Sequence, residues 1–308
     1  MDILKLKNYL ESQISRTGSA AEIARKCGIS SAALSQFRSG KYGADEMKLA
    51  QTIAQALGYR ENNWVTVDTV TSYKQVEFTF KAAKEESMWM GISSKAGIGK
   101  TESLRDMYNR ATDDSVVFIQ CTKWSGRQLF LELAKRTVGL SKGYNSIDNL
   151  KKDVVEYFFS ISSRKPILLI DEADKLQPSA LASLIDLYNR TDSFLGAILA
   201  GTERLEEKIK TGAASRGKRE NFDELDSRLG REYIHLLGAT EKDVKAICAA
   251  NGVDDVAVQE NIWGQIDKVR KEVVAGSNKF VYFVEDFRRL GRLIKTERVK
   301  NSMKNGRL

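Results

Sequence analysis

The sequence predicts an α/β protein: a parallel sheet flanked by helices, preceded by an all-α amino-terminal domain and followed by a small helical segment. Three observations carry this. An apolar run at residues 88–92 meets a small-residue loop that ends as a helical pattern begins. A second apolar run, residues 167–170, ends in two carboxylates 71 residues beyond Lys100, enough chain for two helix–strand crossovers. The first sixty residues carry only helical spacing.

In that amino-terminal stretch, Ile3, Leu4, Leu6, Leu10 and Ile14 repeat with helical period. The stretch from Ala20 to Arg38 then reads as a helix-turn-helix. Ala24 is small where two helices cross, Gly28 suits a left-handed turn, Ser30 caps the second helix, and Leu34 and Phe37 face back onto the first. Ser39-Gly40-Lys41-Tyr42 resembles the loop after the recognition helix of phage Cro/repressor-type domains. Ser31, Ala32, Ser35, Gln36 and Arg38 are the expected outward positions, of which Ser31, Ser35, Gln36 and Arg38 are candidate DNA contacts. A further helix is expected over 47–57, closed by Gly58.

Residues 61–86 read as a linker and lead-in helix. The loop Ser94-Lys95-Ala96-Gly97-Ile98-Gly99-Lys100-Thr101, followed by Glu102, then has the strand–loop–helix context of a P-loop. Successive N–H groups of such a loop form a nest for phosphate at a helix N-terminus. Lys100 is expected to reach the β- and γ-phosphates of ATP, and Thr101 to hold Mg²⁺. Ser94 stands where the pattern has its first glycine. Beyond it are expected a helix over 101–110, a strand over 115–120 and helices over 127–137 and 147–159. Asp171, at the end of the next strand, is expected to hold Mg²⁺ with Thr101. Glu172 is expected to orient or deprotonate the attacking water. Asp171-Glu172-Ala173-Asp174 also spells a helicase box, but no Ser-Ala-Thr motif or second helicase lobe follows. A helix over 179–188 and a strand over 194–200 come next, then an irregular loop over 211–227 and a fifth strand after Arg231. Helices are expected over 256–271 and 285–300, after one starting at Thr240.

Composition bounds the function classes. The 308 residues are 42% hydrophobic and 29% charged, with no apolar run near the ~20 residues of a membrane span. No signal-peptide core precedes Leu10, and Cys27, Cys121 and Cys248 are widely spaced, so a reduced, cytoplasmic protein is expected. His235, alone in an apolar run, reads as structural. The formal charge of +8 sits at the ends. Residues 1–60 hold nine Lys/Arg against five Asp/Glu, residues 288–308 eight against one, and the middle 32 against 35. Basic ends on a neutral body point to phosphate backbones.

The motifs Ala96-Gly97-Ile98-Gly99-Lys100-Thr101 and Ile170-Asp171-Glu172-Ala173-Asp174, with Ser227-Arg228, resemble those of AAA+ P-loop ATPases. With the order helix-turn-helix, ATPase core, basic helical lid, the chain resembles the MuB-like AAA+ family of target-DNA-capture ATPases. The resemblance implies domains at 1–60 (DNA-binding), 61–86 (linker), 87–238 (AAA+ core) and 239–308 (lid with basic tail). It implies sensor-1 at Thr202, where the family has Asn, an arginine finger at Arg228 or secondarily Arg231, and sensor-2 at Arg288. Trp64, Val65 and Val67 fall where related ATPases often seat adenine. The family implies an ATP- and Mg²⁺-dependent homo-oligomer or filament on double-stranded DNA that delivers its target to a transposase and stimulates it. Lys123, Arg127 and Lys142, on or after loops at one end of the sheet, are the expected further DNA contacts. A helicase loader of the IstB/DnaC type and a nucleotide-sensing helix-turn-helix regulator remain as alternatives.

Overall fold

The computed structural model describes residues 3–59, 64–139, 146–214, 222–272 and 279–304. The amino-terminal helices are α1 (Ile3–Thr17), α2 (Ala20–Lys26), α3 (Ser31–Arg38) and α4 (Glu46–Leu57). Gly28 turns at φ +67° between α2 and α3, and the Ser30 hydroxyl accepts from Ala33 N to cap α3, as expected. Leu6, Leu10, Ile23, Ala24, Leu34, Phe37 and Ile53 close one core of their own. That core meets the rest of the chain where Tyr108 donates to Gln13 Oε1 at 3.2 Å.

The remaining elements are α5 (Thr71–Glu85), β1 (Trp89–Ser93), α6 (Lys100–Arg110), β2 (Val116–Gln120), α7 (Gly126–Arg136), α8 (Ile147–Ser160), β3 (Ile167–Asp171), α9 (Pro178–Thr191), β4 (Gly196–Gly201), α10 (Arg204–Ala214), α11 (Phe222–Arg228), β5 (Tyr233–Ile234), α12 (Glu241–Ala250), α13 (Val256–Gln265), β6 (Val269–Glu272), β7 (Phe280–Phe283) and α14 (Phe287–Lys304). The five-stranded sheet has the order β2-β3-β4-β1-β5, and every pairing is parallel. Its central strands are buried on both faces, so apolar residues alternate between two cores. Leu168 and Ile170 join α7, α8, α9 and α11 on one side, whereas Ile167 and Leu169 join α5, α6, α12 and α14 on the other. Each such side chain, fully buried, contributes about 1.5–3 kcal/mol.

Two expectations need correction. The segment read as one helix over 256–271 stops at Gln265, and Val269–Glu272 instead pairs antiparallel with Phe280–Phe283. Val269 and the run Phe280-Val281-Tyr282-Phe283 are β-branched and aromatic, and suit a pleated, half-buried surface better than a helix. The stretch 211–227 is not irregular throughout: α10 continues to Ala214, and α11 opens at Phe222. Phe222 is buried against Gly212, so an apolar contact that polar composition conceals holds the two helices together.

Candidate nucleotide site

A parallel sheet brings all its strand C-termini to one edge, and ligands bind outside them. The order β3-β4-β1 therefore sets Asp171, Thr202 and the 94–101 loop side by side. Register fixes this further, with Ser93 opposite Gly201 and Ile170 opposite Leu199.

The loop is shaped by Gly97 (φ +89°) and Gly99 (φ +100°), conformations that side chains resist. A Cβ at Gly99 would stand 3.0 Å from the Phe287 ring. Ser94 needs no such freedom: its φ is not positive. Its hydroxyl instead accepts from Leu236 N at 2.7 Å and ties the loop to the chain beyond β5. The departure from glycine therefore has a structural use.

Lys100 is 7% exposed and donates to its own loop carbonyls, Ser94 O at 2.5 Å and Lys95 O at 2.9 Å. Burial pushes its pKa down to about 8, against the pull of Asp171, Asp174 and Glu203. Thr101 Oγ1 donates to Asp171 Oδ2 at 2.8 Å. Burial raises the pKa of Asp171, opposed by that bond and by the backbone N–H of Glu172. A single buried carboxylate beside a hydroxyl suits Mg²⁺, which is usually bound by one or two carboxylates together with substrate phosphates.

Glu172 adopts φ +56°, and its Oε2 lies 2.7 Å from Lys175 Nζ. Thr202 donates from Oγ1 to Asp174 Oδ2 at 2.9 Å, and its N–H donates to Asp174 Oδ1 at 3.3 Å. Neither of these expected water-facing groups is thus unengaged. Neither Asp174, the last residue of the motif, nor Lys175, which follows it, has a role that the sequence alone reveals.

The cleft above the loop measures about 610 Å³. Trp64, Val65, Val67, Ile247 and Leu290 form an apolar wall, and Gly291 lies under the Trp64 ring, where an added Cβ would stand 3.6 Å from it. The expected adenine residues therefore line the same cleft as Lys100. Arg288 lines it too, joined by Arg292 and Lys295, which follow at i+4 and i+7 on the same face of α14. That helical period was readable in the sequence. The start of α14 and the residues before it meet the loop directly: Phe287 N donates to Gly97 O at 2.9 Å, and Lys95 pairs with Glu285 at 2.7 Å. Burial works against ionisation of Glu285, but its pairs with Lys271 and Lys95 hold its pKa below the usual range.

The other candidates lie outside this cleft. Arg228 closes α11 and folds back onto its own chain, 4.8 Å above the Tyr188 ring, with Nη2 3.2 Å from Asn189 Oδ1. Arg231 is more exposed and pairs with Asp223 at 3.3 Å. His235 is held between Ser93 O and Glu206, a structural setting. Ser31, Ser35 and Gln36 are exposed on α3, but Arg38 is bound by Glu11 through two bonds of 2.6 and 2.7 Å. Lys123 and Arg127 are exposed beside the start of α7, and Lys142 lies outside the described residues. Among the described residues no helix is long and apolar enough to cross a membrane.

Residues 90–209 match the AAA domain family. Over 259 residues the chain is 25% identical to the ATP-dependent target DNA activator B of Escherichia phage D108, covering 78% of this chain and 76% of that protein. The ATP-dependent target DNA activator B of Escherichia phage Mu matches with the same identity and coverage. Among solved structures, Cdc6p from Pyrobaculum aerophilum aligns with TM-score 0.43 and 16% identity, over 61% of this chain and 50% of its own. Drosophila ORC bound to DNA aligns with TM-score 0.45 and 13% identity, over 78% and 58%. The chain contains an AAA+ P-loop domain and is similar, over 78% of its length, to the target DNA activator B proteins of these phages.

Proposed function

We propose that this chain is an ATP-hydrolysing, largely sequence-nonspecific DNA-binding protein. It assembles on target DNA, delivers that DNA to a transposase and stimulates the transposase. The observation that carries the ATPase half is the placement of Lys100, the Thr101–Asp171 pair and Glu172 at adjoining strand ends. The DNA half is supported by similarity to the phage activators and by the basic ends of the chain.

Each residue then has a task. Lys100 exchanges neutral carbonyls for phosphate oxygens and regains its full charge. Thr101 and Asp171 would hold Mg²⁺, which would supply positive charge to offset that of the phosphates. Trp64, Val67 and Leu290 enclose the base, and Arg288 approaches the phosphates from the lid. Glu172 accepts the proton of the attacking water, and Thr202, released from Asp174, orients that water. Arg228 or the more exposed Arg231 reaches the next subunit, so nucleotide state and polymer stability are coupled. Lys123 and Arg127 with the basic ends grip the backbone, and the working site is the host cytoplasm.

Glu172→Gln is the test. The variant should bind ATP as the wild type does, hydrolyse it at least about 100-fold more slowly, and stay on duplex DNA for correspondingly longer. Wild-type release in ATP would contradict the role of Glu172. Preference for single strands would favour a helicase loader instead. Affinity confined to one palindromic operator and indifferent to this substitution would favour a transcription regulator.

A further inference from the structure

We infer that Asn251 is a positioning residue for the nucleotide base, fixing the two halves of the cleft's apolar wall against each other. The inference rests on the nucleotide reading of the cleft and adds the residue that shapes its base end. One half of that wall, Trp64, Val65 and Val67, precedes α5; the other, Ile247 and Leu290, comes from α12 and α14. Asn251 joins them although it stands 186 residues beyond Val65. Its Oδ1 accepts from Val65 N at 2.8 Å, and its Nδ2 donates to Val65 O at 3.1 Å and to Ile247 O at 2.9 Å. A single side-chain amide thus grips both backbone polar groups of one wall residue and the carbonyl of another across from it.

The side chain, not the backbone, accounts for asparagine at this position. Asparagine often follows a helix because it tolerates the left-handed conformation. Asn251 does not use that tolerance: its φ is −109°, and the left-handed residue is Gly252 at +82°. Asn251 is 4% exposed, and a buried amide costs free energy unless its hydrogen bonds are made. The amide offers one acceptor oxygen and two N–H donors, and each is matched. A carboxylate could donate to neither carbonyl, and an apolar side chain would hold nothing. Val65 itself is 52% exposed, so packing alone does not anchor it. Without the amide, water takes over its backbone groups, and Trp64 beside it loses its fixed place over Gly291. The phosphate end of the cleft does not depend on this tie. Lys100 is held there by the Ser94 and Lys95 carbonyls of its own loop.

The experiment measures, by titration calorimetry in Mg²⁺, the affinity of the full chain for ATP and for inorganic tripolyphosphate, which has the phosphates without the base. In Asn251→Ala the Kd for ATP should rise about tenfold, the loss expected from one or two hydrogen bonds. The Kd for tripolyphosphate should stay within about twofold of the wild-type value. Trp64→Ala should show the same pattern, and the double substitution should weaken ATP little more than either alone, because both act through one wall. A merely structural role would weaken ATP and tripolyphosphate together, and that result overturns the inference. So does an ATP affinity that Asn251→Ala leaves unchanged. If Asn251→Ala does not fold, Asn251→Ser takes its place, with a hydroxyl that can still bond the carbonyl at i−4. The two readings fail separately. If the wild type binds ATP no more tightly than tripolyphosphate, the base seat itself fails; if Trp64→Ala loses ATP selectively and Asn251→Ala does not, only the role of Asn251 fails.

Discussion

Lys100 in the cleft and Arg38 on α3 are both cations in motifs that expect an anion, yet they are held in opposite ways. Lys100 is buried and bonded to two carbonyls, which satisfy its N–H groups but bring no net charge to balance its own. Arg38 is exposed and locked bidentately to Glu11, which raises its pKa and lowers that of Glu11. A phosphate arriving at Lys100 improves that residue's electrostatics; one arriving at Arg38 must first displace a carboxylate. Charge counted in a sequence is therefore not charge available to a ligand. The cleft is poised for an anion, and α3 is not.

The largest effect expected from this contrast is at the cleft. Lys100→Ala should weaken ATP binding by about 100-fold or more, since it removes a buried cation held at the phosphate loop. In the wild type, phosphates should raise the pKa of Lys100 from about 8, so binding between pH 8 and 9 takes up protons and affinity falls as pH rises. Titration calorimetry in buffers of different ionisation heat reads this directly, and a buffer-independent enthalpy would count against it. The smallest effect is expected at Arg38. Arg38→Ala should change duplex affinity less than about twofold and leave its salt slope intact, where a true phosphate contact would remove about 0.9 from that slope. A lost unit of slope would show that Glu11 yields to DNA.

The sheet and the phosphate loop were legible because each rests on local chemistry. Apolar runs give buried strands, and the Gly97–Thr101 loop needs its glycines wherever it occurs. The caps at Ser30 and Thr240 were legible for the same reason. The rest depends on partners distant in the chain. Ser94 looks like a defect until Leu236, 142 residues away, is seen to use its hydroxyl. Thr202 looks unengaged until Asp174 is found beside it. The polar, charged composition around α10 and α11 hides the contact of Phe222 with Gly212. The β6–β7 pair is made of four-residue strands, too short to outweigh the helical reading that precedes them.

The central claim is that nucleotide in this cleft controls assembly on DNA, and electron microscopy of the protein with duplex DNA tests it most directly. With ATP and Mg²⁺ the account predicts continuous polymers along DNA of any sequence, and without nucleotide it predicts bare duplex or scattered particles. The same appearance in both conditions would contradict it.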